Sequence, residues 1–261
     1  MSGLKGVLLG LLVIGSGDAQ AAVSLSGTRL IFDGSFREVS IEAINRSSRE
    51  VLLQSWLSDT QDIDGGSSSD LPFVVTPHLS HLRAHGRQAL RILYEGVGMP
   101  LDQESLLHLY VMEVPRRVEG ENQLSIAIRQ RINVFYRPPG LLGDPARTAE
   151  TLVWRFILDE LGAIALQVSN PAAYHASLQN LRLEGAEENY SVSNYQLLPP
   201  GVTRSLPLTA IKPGEGMWNR LSFKALNDFG GQHGYVADVD QQAAFSARSL
   251  PDATHFKDAQ P

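Results

Sequence analysis

Cysteine is absent from the 261-residue sequence, and this absence excludes several kinds of chemistry. No cysteine nucleophile, thiolate zinc site or thiol redox centre can form, and no disulfide can stabilise the fold. The hydrophobic core alone must hold the chain together, and the length suffices for one large domain or two of about 100 to 120 residues. Basic residues are outnumbered: the formal net charge of -6 gives no electrostatic reason to expect nucleic acid binding.

Long hydrophobic runs are equally scarce, and the one near the start is too short for a membrane span. Lys5 precedes the apolar run 6–14, whereas a helix needs roughly 20 residues to cross a bilayer. Residues 19–21 (Ala-Gln-Ala) then offer a small-x-small cleavage site. Together these features predict a secretory signal peptide over 1–21 and export to the periplasm, with the mature chain beginning at Ala22. A membrane anchor is the alternative, disfavoured because no stop-transfer charges follow the run.

Short strand-like segments separated by turn residues fill the rest of the chain. Residues 38–43 alternate polar and apolar side chains, and residues 29–32 stop at the turn dipeptide Asp33-Gly34. Such segments at regular spacing predict an all-β protein built as a sandwich. Proline and glycine interrupt the pattern after residue 137, which indicates a hinge between two domains. The predicted division is a signal peptide at 1–21, an N-terminal domain at 22–138, a linker at 139–150, a C-terminal domain at 151–245 and a disordered tail at 246–261.

The most informative segment is 124–138, which reads LSIAIRQRINVFYRP. Leu124, Ile126 and Ile128 would occupy one face of a strand, because side chains alternate with a period of two. Arg129, Arg131 and Asn133 would occupy the other face. The pattern alone is also that of an ordinary sandwich strand whose apolar face packs into its own core, so the residues leave its function open.

The same segment resembles the signature strand of the PapD-like periplasmic chaperones, which assist pilus assembly. The family pattern reads approximately Leu-x-Ile-Ala-x-x-x-Arg/Lys-Ile-Lys-Leu-Phe-Tyr-Arg-Pro. Further segments resemble the family in the same order, at residues 23–25, 28–32, 72–77, 102–106, 113–115, 170–174 and 226–231. The resemblance covers essentially the whole mature chain. It implies two immunoglobulin-like β-sandwich domains in an L-shaped arrangement.

The resemblance also implies a function that needs neither catalysis nor a cofactor. A chaperone of this family binds a fimbrial subunit whose immunoglobulin-like fold lacks its last strand, lends that subunit its own edge strand, and delivers it to an outer-membrane usher. Leu124, Ile126 and Ile128 would be the donated residues here. Because an exposed apolar edge promotes aggregation, the free chaperone would have to protect this strand, and self-association is one way to do so.

In the family, two basic residues hold the C-terminal carboxylate of the subunit in the cleft between the domains. Arg29 matches the first, and its planar guanidinium can bind a carboxylate through two hydrogen bonds. Asn133 stands at the second position, where lysine is usual, and an amide donates hydrogen bonds without bringing a charge. Arg131 lies two residues away, about 6.7 Å along the strand. Our hypothesis is that Arg131 supplies the missing charge; a weaker anchor is the alternative.

A second set of charged residues also matches the family. Glu104, Arg137 and Asp228 correspond to a network that fixes the angle between the two domains. We interpret all three as structural, since a buried network of this kind can specify geometry.

Two other classes of protein compete with the chaperone interpretation. His78, His81 and His85 raise the possibility of a metal-dependent enzyme, but their spacing fits neither a helix face nor a strand face throughout. A surface loop without metal is the better interpretation. A non-catalytic adhesion or carbohydrate-binding sandwich is the other rival; it would need an aromatic platform, whereas Trp56 and Trp154 occupy apolar strands and are predicted to be core residues.

Overall fold

Strands that bury one face and expose the other build the fold. In β3 (Glu38–Asn45), Ile41 and Ala43 are buried while Glu42 between them is partly exposed. The computed structural model describes residues 23–60, 71–115, 126–159, 162–185, 189–208 and 218–251. Within these residues no helix is long and apolar enough to cross a membrane.

Two sheets formed by the first half of the chain pack face to face. The remaining strands of this half are β1 (Val23–Leu25), β2 (Arg29–Asp33), β4 (Val51–Ser58), β5 (Phe73–Thr76), β6 (Leu79–Leu82), β7 (Arg87–Tyr94), β8 (Ser105–Pro115) and β9 (Ile128–Arg137). One sheet has the order β1-β3-β7-β5 and the other β2-β9-β8-β4-β6. Their facing side chains, among them Phe32, Leu90 and Leu109, form one hydrophobic core.

Two further sheets formed by the second half enclose a separate core. The elements are α1 (Thr148–Thr151), β10 (Val153–Leu158), β11 (Ile164–Ser169), β12 (Ala176–Gly185), β13 (Asn189–Leu198), β14 (Thr203–Pro207), β15 (Trp218–Leu226), β16 (Gln232–Asp238) and β17 (Arg248–Ser249). The sheet orders are β10-β11-β14 and β13-β12-β15-β16-β17. Trp154, Leu178 and Leu221 are fully buried between them. The predicted all-β class with two sandwiches is thus confirmed.

A short segment joins the two sandwiches, and the second sandwich extends beyond the predicted start of the tail. A 3₁₀ turn (Pro145–Arg147) leads into α1 within the region predicted as a linker. The predicted tail starts too early, because β17 pairs with β16 and so belongs to the second sandwich. Residues 252–261 and the predicted signal peptide at 1–21 lie outside the described residues.

Asn170 is the buried polar residue that fixes the loop after β11. Its side-chain Nδ2 donates to the carbonyl oxygens of Tyr174 at 2.8 Å, Leu198 at 3.0 Å and Pro199 at 3.1 Å. Its Oδ1 accepts from the backbone N–H of Ala172 at 3.1 Å. Because buried carbonyl groups need partners, this one amide holds the loop against the end of β13 and sets the position of the residues that follow Tyr174.

We predict that Asn170→Asp lowers the free energy of unfolding by at least about 2 kcal/mol, since it leaves buried carbonyls unsatisfied and puts a carboxylate beside them. Urea denaturation followed by fluorescence measures the loss. The matched control is Asn219→Asp, which makes the same chemical change on an exposed residue of β15. Equal losses in the two variants would contradict the assigned role of Asn170.

Candidate functional site

The pairing of β2 with β9 assembles the first part of the site. The two strands run parallel, and their register places Arg29 directly beside Asn133. Alternate residues of β9 point into the first core, namely Ile132, Val134 and Tyr136. Asn133 therefore lies on the opposite face of the sheet, as the period of two predicts.

Arg29 lies on this outer face, where an aromatic ring and more distant charged groups surround it. Its guanidinium carbon is 5.4 Å from the centre of the Phe135 ring, a cation–π contact. Burial lowers the pKa of Arg29. Attraction to Tyr195, Asp228 and Glu104 opposes that effect, and an arginine remains a cation at neutral pH. Within the described part of the chain, its guanidinium forms no hydrogen bond or ion pair, so its donors are open to an anion.

His108 lies beside Asn133 on the side opposite to Arg29. It lies on β8 directly beside Asn133 in the register of the two strands. Only 9% of the residue is exposed, and its Nδ1 has no partner among the described residues. Burial lowers the pKa of His108, and the positive charge of Arg131 lowers it further. Sequence reasoning missed this residue, although a histidine between the core positions Leu107 and Leu109 is a visible signal.

Arg131 lies on the same face as Asn133, as the sequence predicted, and is exposed. Its register partner on β8 is Tyr110. The charge hypothesis for Arg131 stays a prediction.

An aromatic stack extends the outer face toward β4. The Trp56 and Tyr110 rings are stacked, with centroids 5.4 Å apart and planes 9° from parallel. The guanidinium carbon of Arg129 lies 5.3 Å from the centre of the Tyr110 ring. The prediction that Trp56 is a core residue was wrong, because alternation along β4 places it on the outer face. Trp154 is fully buried in the second core, as predicted.

The first part of β9 has one open edge. β8 pairs with β9 from its start, but β2 pairs only with residues 133–137. Within the described chain, therefore, no strand covers the other edge over 128–132. Ile126 precedes this stretch and is 58% exposed, and Ile128 opens it half-buried. Leu124, the third predicted donor, lies outside the described residues.

Arg137, at the end of β9, connects the two sandwiches. Its Nη2 donates to Glu104 Oε1 at 2.8 Å and its Nη1 donates to Asp228 Oδ2 at 2.9 Å. Glu104 belongs to the first sandwich and Asp228 to the hairpin between β15 and β16. Burial by itself would lower the pKa of Arg137, but the hydrogen bonds to Asp228 and Glu104 outweigh it and raise the pKa overall. The structure thus brings together the three residues that the sequence predicted as a network.

Two residues of the second sandwich complete this network and were missed. His175 uses its backbone N–H to donate to Glu104 Oε2 at 2.8 Å, and its Nδ1 lies 2.9 Å from the same oxygen. The Tyr174 ring lies beneath the guanidinium of Arg137, with 5.1 Å between the guanidinium carbon and the ring centre. The segment 170–174 resembles the family, but nothing in the sequence pairs it with Glu104.

A glycine brings the second sandwich close to Arg29. Gly230 has φ +82°, a backbone conformation that glycine adopts readily. A Cβ added there would lie 2.8 Å from Thr28 Oγ1. The hairpin that carries Asp228 therefore packs directly against the residue before Arg29.

The three histidines considered for a metal do not form a cluster. His81 Nε2 lies 3.1 Å from Glu50 Oε2. Among the described residues, no group of three histidine or carboxylate side chains is placed to hold a metal ion.

Comparison with known families places this geometry in context. The N-terminal domain model of the PapD pili and flagellar-assembly chaperones matches residues 22–142. The C-terminal domain model of the PapD pili assembly chaperones matches residues 147–237. The chain belongs to the PapD-like family of pilus-assembly chaperones. This family is periplasmic and non-catalytic, so the chain is not an enzyme.

Individual relatives agree with this PapD-like assignment. The probable fimbrial chaperone YadV of Escherichia coli K12 is 31% identical over 222 residues, covering 83% of this chain and 89% of YadV. The crystal structure of YadV matches with a TM-score of 0.70 and 29% identity, over 84% of this chain and all of the other. The SafB chaperone of Salmonella enterica, solved with the SafA pilin, matches with a TM-score of 0.68 and 25% identity, over 83% and 96% of the two chains.

We predict that Arg137→Ala lowers the free energy of unfolding by about 3 to 5 kcal/mol, because it leaves the buried carboxylate of Glu104 without its main partner. Urea denaturation is the measurement. The control is Arg147→Ala, whose exposed pair with Glu150 should contribute only about 0 to 1 kcal/mol. Similar losses for the two variants would show that the network of Arg137 stabilises the fold no more than an exposed ion pair does.

Proposed function

We propose that this chaperone caps a pilin subunit by lending it the open edge of β9, and then delivers the subunit to an outer-membrane usher. The observation that carries the proposal is that the open edge of β9 at 128–132 ends at Asn133. There β2 begins to pair with β9 and places Arg29 beside Asn133. A bound strand can extend the sheet along the first part of β9 and must end where β2 begins. Arg29 lies at that end. The SafB relative, solved with the SafA pilin, supports a pilin as the occupant.

Backbone pairing supplies affinity in this form of recognition, and alternate side chains supply specificity. Ile126 and Ile128 have the same parity along the chain as Leu124, so all three would enter the groove of the subunit. Each side chain of this size gains roughly 1.5 to 3 kcal/mol when it is buried. The exposed state of Ile126 means that this gain is still unused in the free chaperone.

The carboxylate at the end of the subunit would bind at Arg29. Its guanidinium has a ring beneath it and no anionic partner within hydrogen-bonding distance, which suits capture of an incoming carboxylate. Asn133 lies beside it and can donate hydrogen bonds. Arg131, exposed on the same face, is proposed to contribute charge.

The charge network would fix the cleft in which the carboxylate docks. Arg137 ties Glu104 of the first sandwich to Asp228 of the second. We propose 22–138 as the subunit-binding domain, 139–150 as the linker and 151 onward as the second domain. In the free chaperone, self-association would cover the exposed edge of β9, since such edges otherwise aggregate.

We predict that tagged mature chaperone recovers a one-to-one complex with a pilin subunit from native periplasm, identified by mass spectrometry. Arg29→Ala should weaken this binding roughly 10- to 100-fold, because it removes charge-assisted hydrogen bonds worth about 1.5 to 3 kcal/mol. The matched control is Arg155→Ala, an exposed arginine on β10. No pilin from cells that are expressing fimbriae would argue against the proposed function.

The same assay tests Arg131. If Arg131→Ala binds the subunit as well as wild type while Arg29→Ala does not, the charge of Arg131 has no part in the anchor. A loss with both variants would support the charge hypothesis.

We predict that Ile126→Asp abolishes subunit capture, because a carboxylate would have to enter an apolar groove. Ala127→Asp is the matched control: it adds the same charge to the neighbouring exposed residue, whose side chain has the opposite parity. Both variants change residues outside β9, so neither should alter thermal stability. Equal capture by the two variants would contradict the alternation on which strand donation depends.

A further inference from the structure

His108 is a buried histidine that lies outside the first core. Its neighbours Leu107 and Leu109 fill the first core, whereas His108 lies on the outer face and is 9% exposed there. In register across three strands stand Arg29 of β2, Asn133 of β9 and His108 of β8. Neighbouring strands are about 4.8 Å apart, so His108 is about 10 Å from Arg29 across the sheet.

His108 has an unused polar atom next to Asn133. The two residues lie directly opposite each other in the pairing of β8 with β9. Nδ1 of His108 is buried and has no hydrogen-bond partner among the described residues. An imidazole can become a cation by taking up one proton, whereas the amide of Asn133 cannot.

The charges around His108 favour its neutral form as long as no anion is bound. Arg131 on β9 lowers the pKa of His108, and Arg29 lies across the sheet on β2. The Tyr110 ring on the same strand is edge-on to the His108 ring, with centroids 6.4 Å apart. The negative group with an attractive effect is Asp59, just after β4, and its effect is the weakest of those acting on His108. A carboxylate docked between Arg29 and Asn133 would add negative charge close to the ring and favour its protonation.

We propose that His108 completes the carboxylate anchor in place of the missing lysine. Its buried ring lies beside Asn133 and takes up a proton when the carboxylate binds, so that it supplies the positive charge that the amide lacks. This proposal rests on the proposed docking of the subunit's terminal carboxylate at Arg29. It makes subunit binding tighter as the pH falls, and the periplasmic chaperone would hold its subunit most firmly in acidic conditions.

The sign of the pH dependence follows from linkage. Free His108 has a pKa below its usual value, and a bound carboxylate raises that pKa. Affinity therefore increases as the pH falls through the higher pKa of the complex and levels off below the lower pKa of the free chaperone. Each unit between the two pKa values corresponds to about a tenfold gain in affinity.

The test is a competition between wild type and His108→Gln for the same labelled pilin subunit, the one recovered with the tagged chaperone, between pH 8 and pH 5. Glutamine keeps a polar side chain beside Asn133 but cannot take up a proton. The ratio of the two affinities should be close to one at pH 8 and rise toward pH 5, by about tenfold for each unit of pKa shift. A ratio that stays constant over this range overturns the proton uptake.

A third competitor, His108→Leu, is a second variant that cannot be protonated. Its affinity relative to wild type should fall toward pH 5 in the same proportion as that of His108→Gln, because both lack the titrating ring. A relative affinity of His108→Leu that does not change with pH overturns the proton uptake as well. Thermal unfolding of both variants identifies any loss that is merely structural. Failure of the underlying anchor is visible separately, because Arg29→Ala would then compete as well as wild type at all pH values.

Discussion

The parallel pairing of β2 with β9 is the constraint on which the functional surface depends. It covers residues 133–137 of β9 and leaves 128–132 open, so that one strand is both an interior strand and an edge. The same pairing places Arg29 beside Asn133 through the backbone register alone. Where the pairing starts, the open edge ends. The boundary between these two states of one strand defines the place at which an added strand must stop.

Both sandwiches contribute to the surroundings of this boundary. Asp228 and Tyr195 of the second sandwich act on the electrostatics of Arg29, which belongs to the first. Their distance from Arg29 depends on the angle between the sandwiches, which Arg137 joins by pairing with both Glu104 and Asp228. Gly230 adds a steric limit at Thr28. A change in the hinge would therefore change the charge environment of Arg29 even if the first sandwich stayed intact.

The sequence predicts much of the fold because alternation and turn residues act locally. It also predicts the set Glu104, Arg137 and Asp228, but only through the family resemblance, since these residues are far apart in the chain. His108 and His175 were missed because their partners come from strand register and from contact between the sandwiches, which no local pattern encodes. Trp56 was misassigned for a related reason: an apolar residue in an apolar strand belongs to the core only if its parity matches, and Trp56 has the parity of the exposed Leu52.

The half-open edge of β9 also has a consequence for the register of a bound strand. Backbone pairing on an open edge does not distinguish one side chain from another, so a strand could bind there in several registers. A slip of one residue would turn every alternate side chain to the wrong face. If the end of the partner strand is fixed by its carboxylate at Arg29, the position of each earlier residue is counted from that point. The number of residues between a partner residue and the C terminus, rather than any particular sequence, would then decide which partner residues meet Ile126 and Ile128. Unrelated sequences whose apolar residues fall at the same distances from the C terminus would then bind one chaperone.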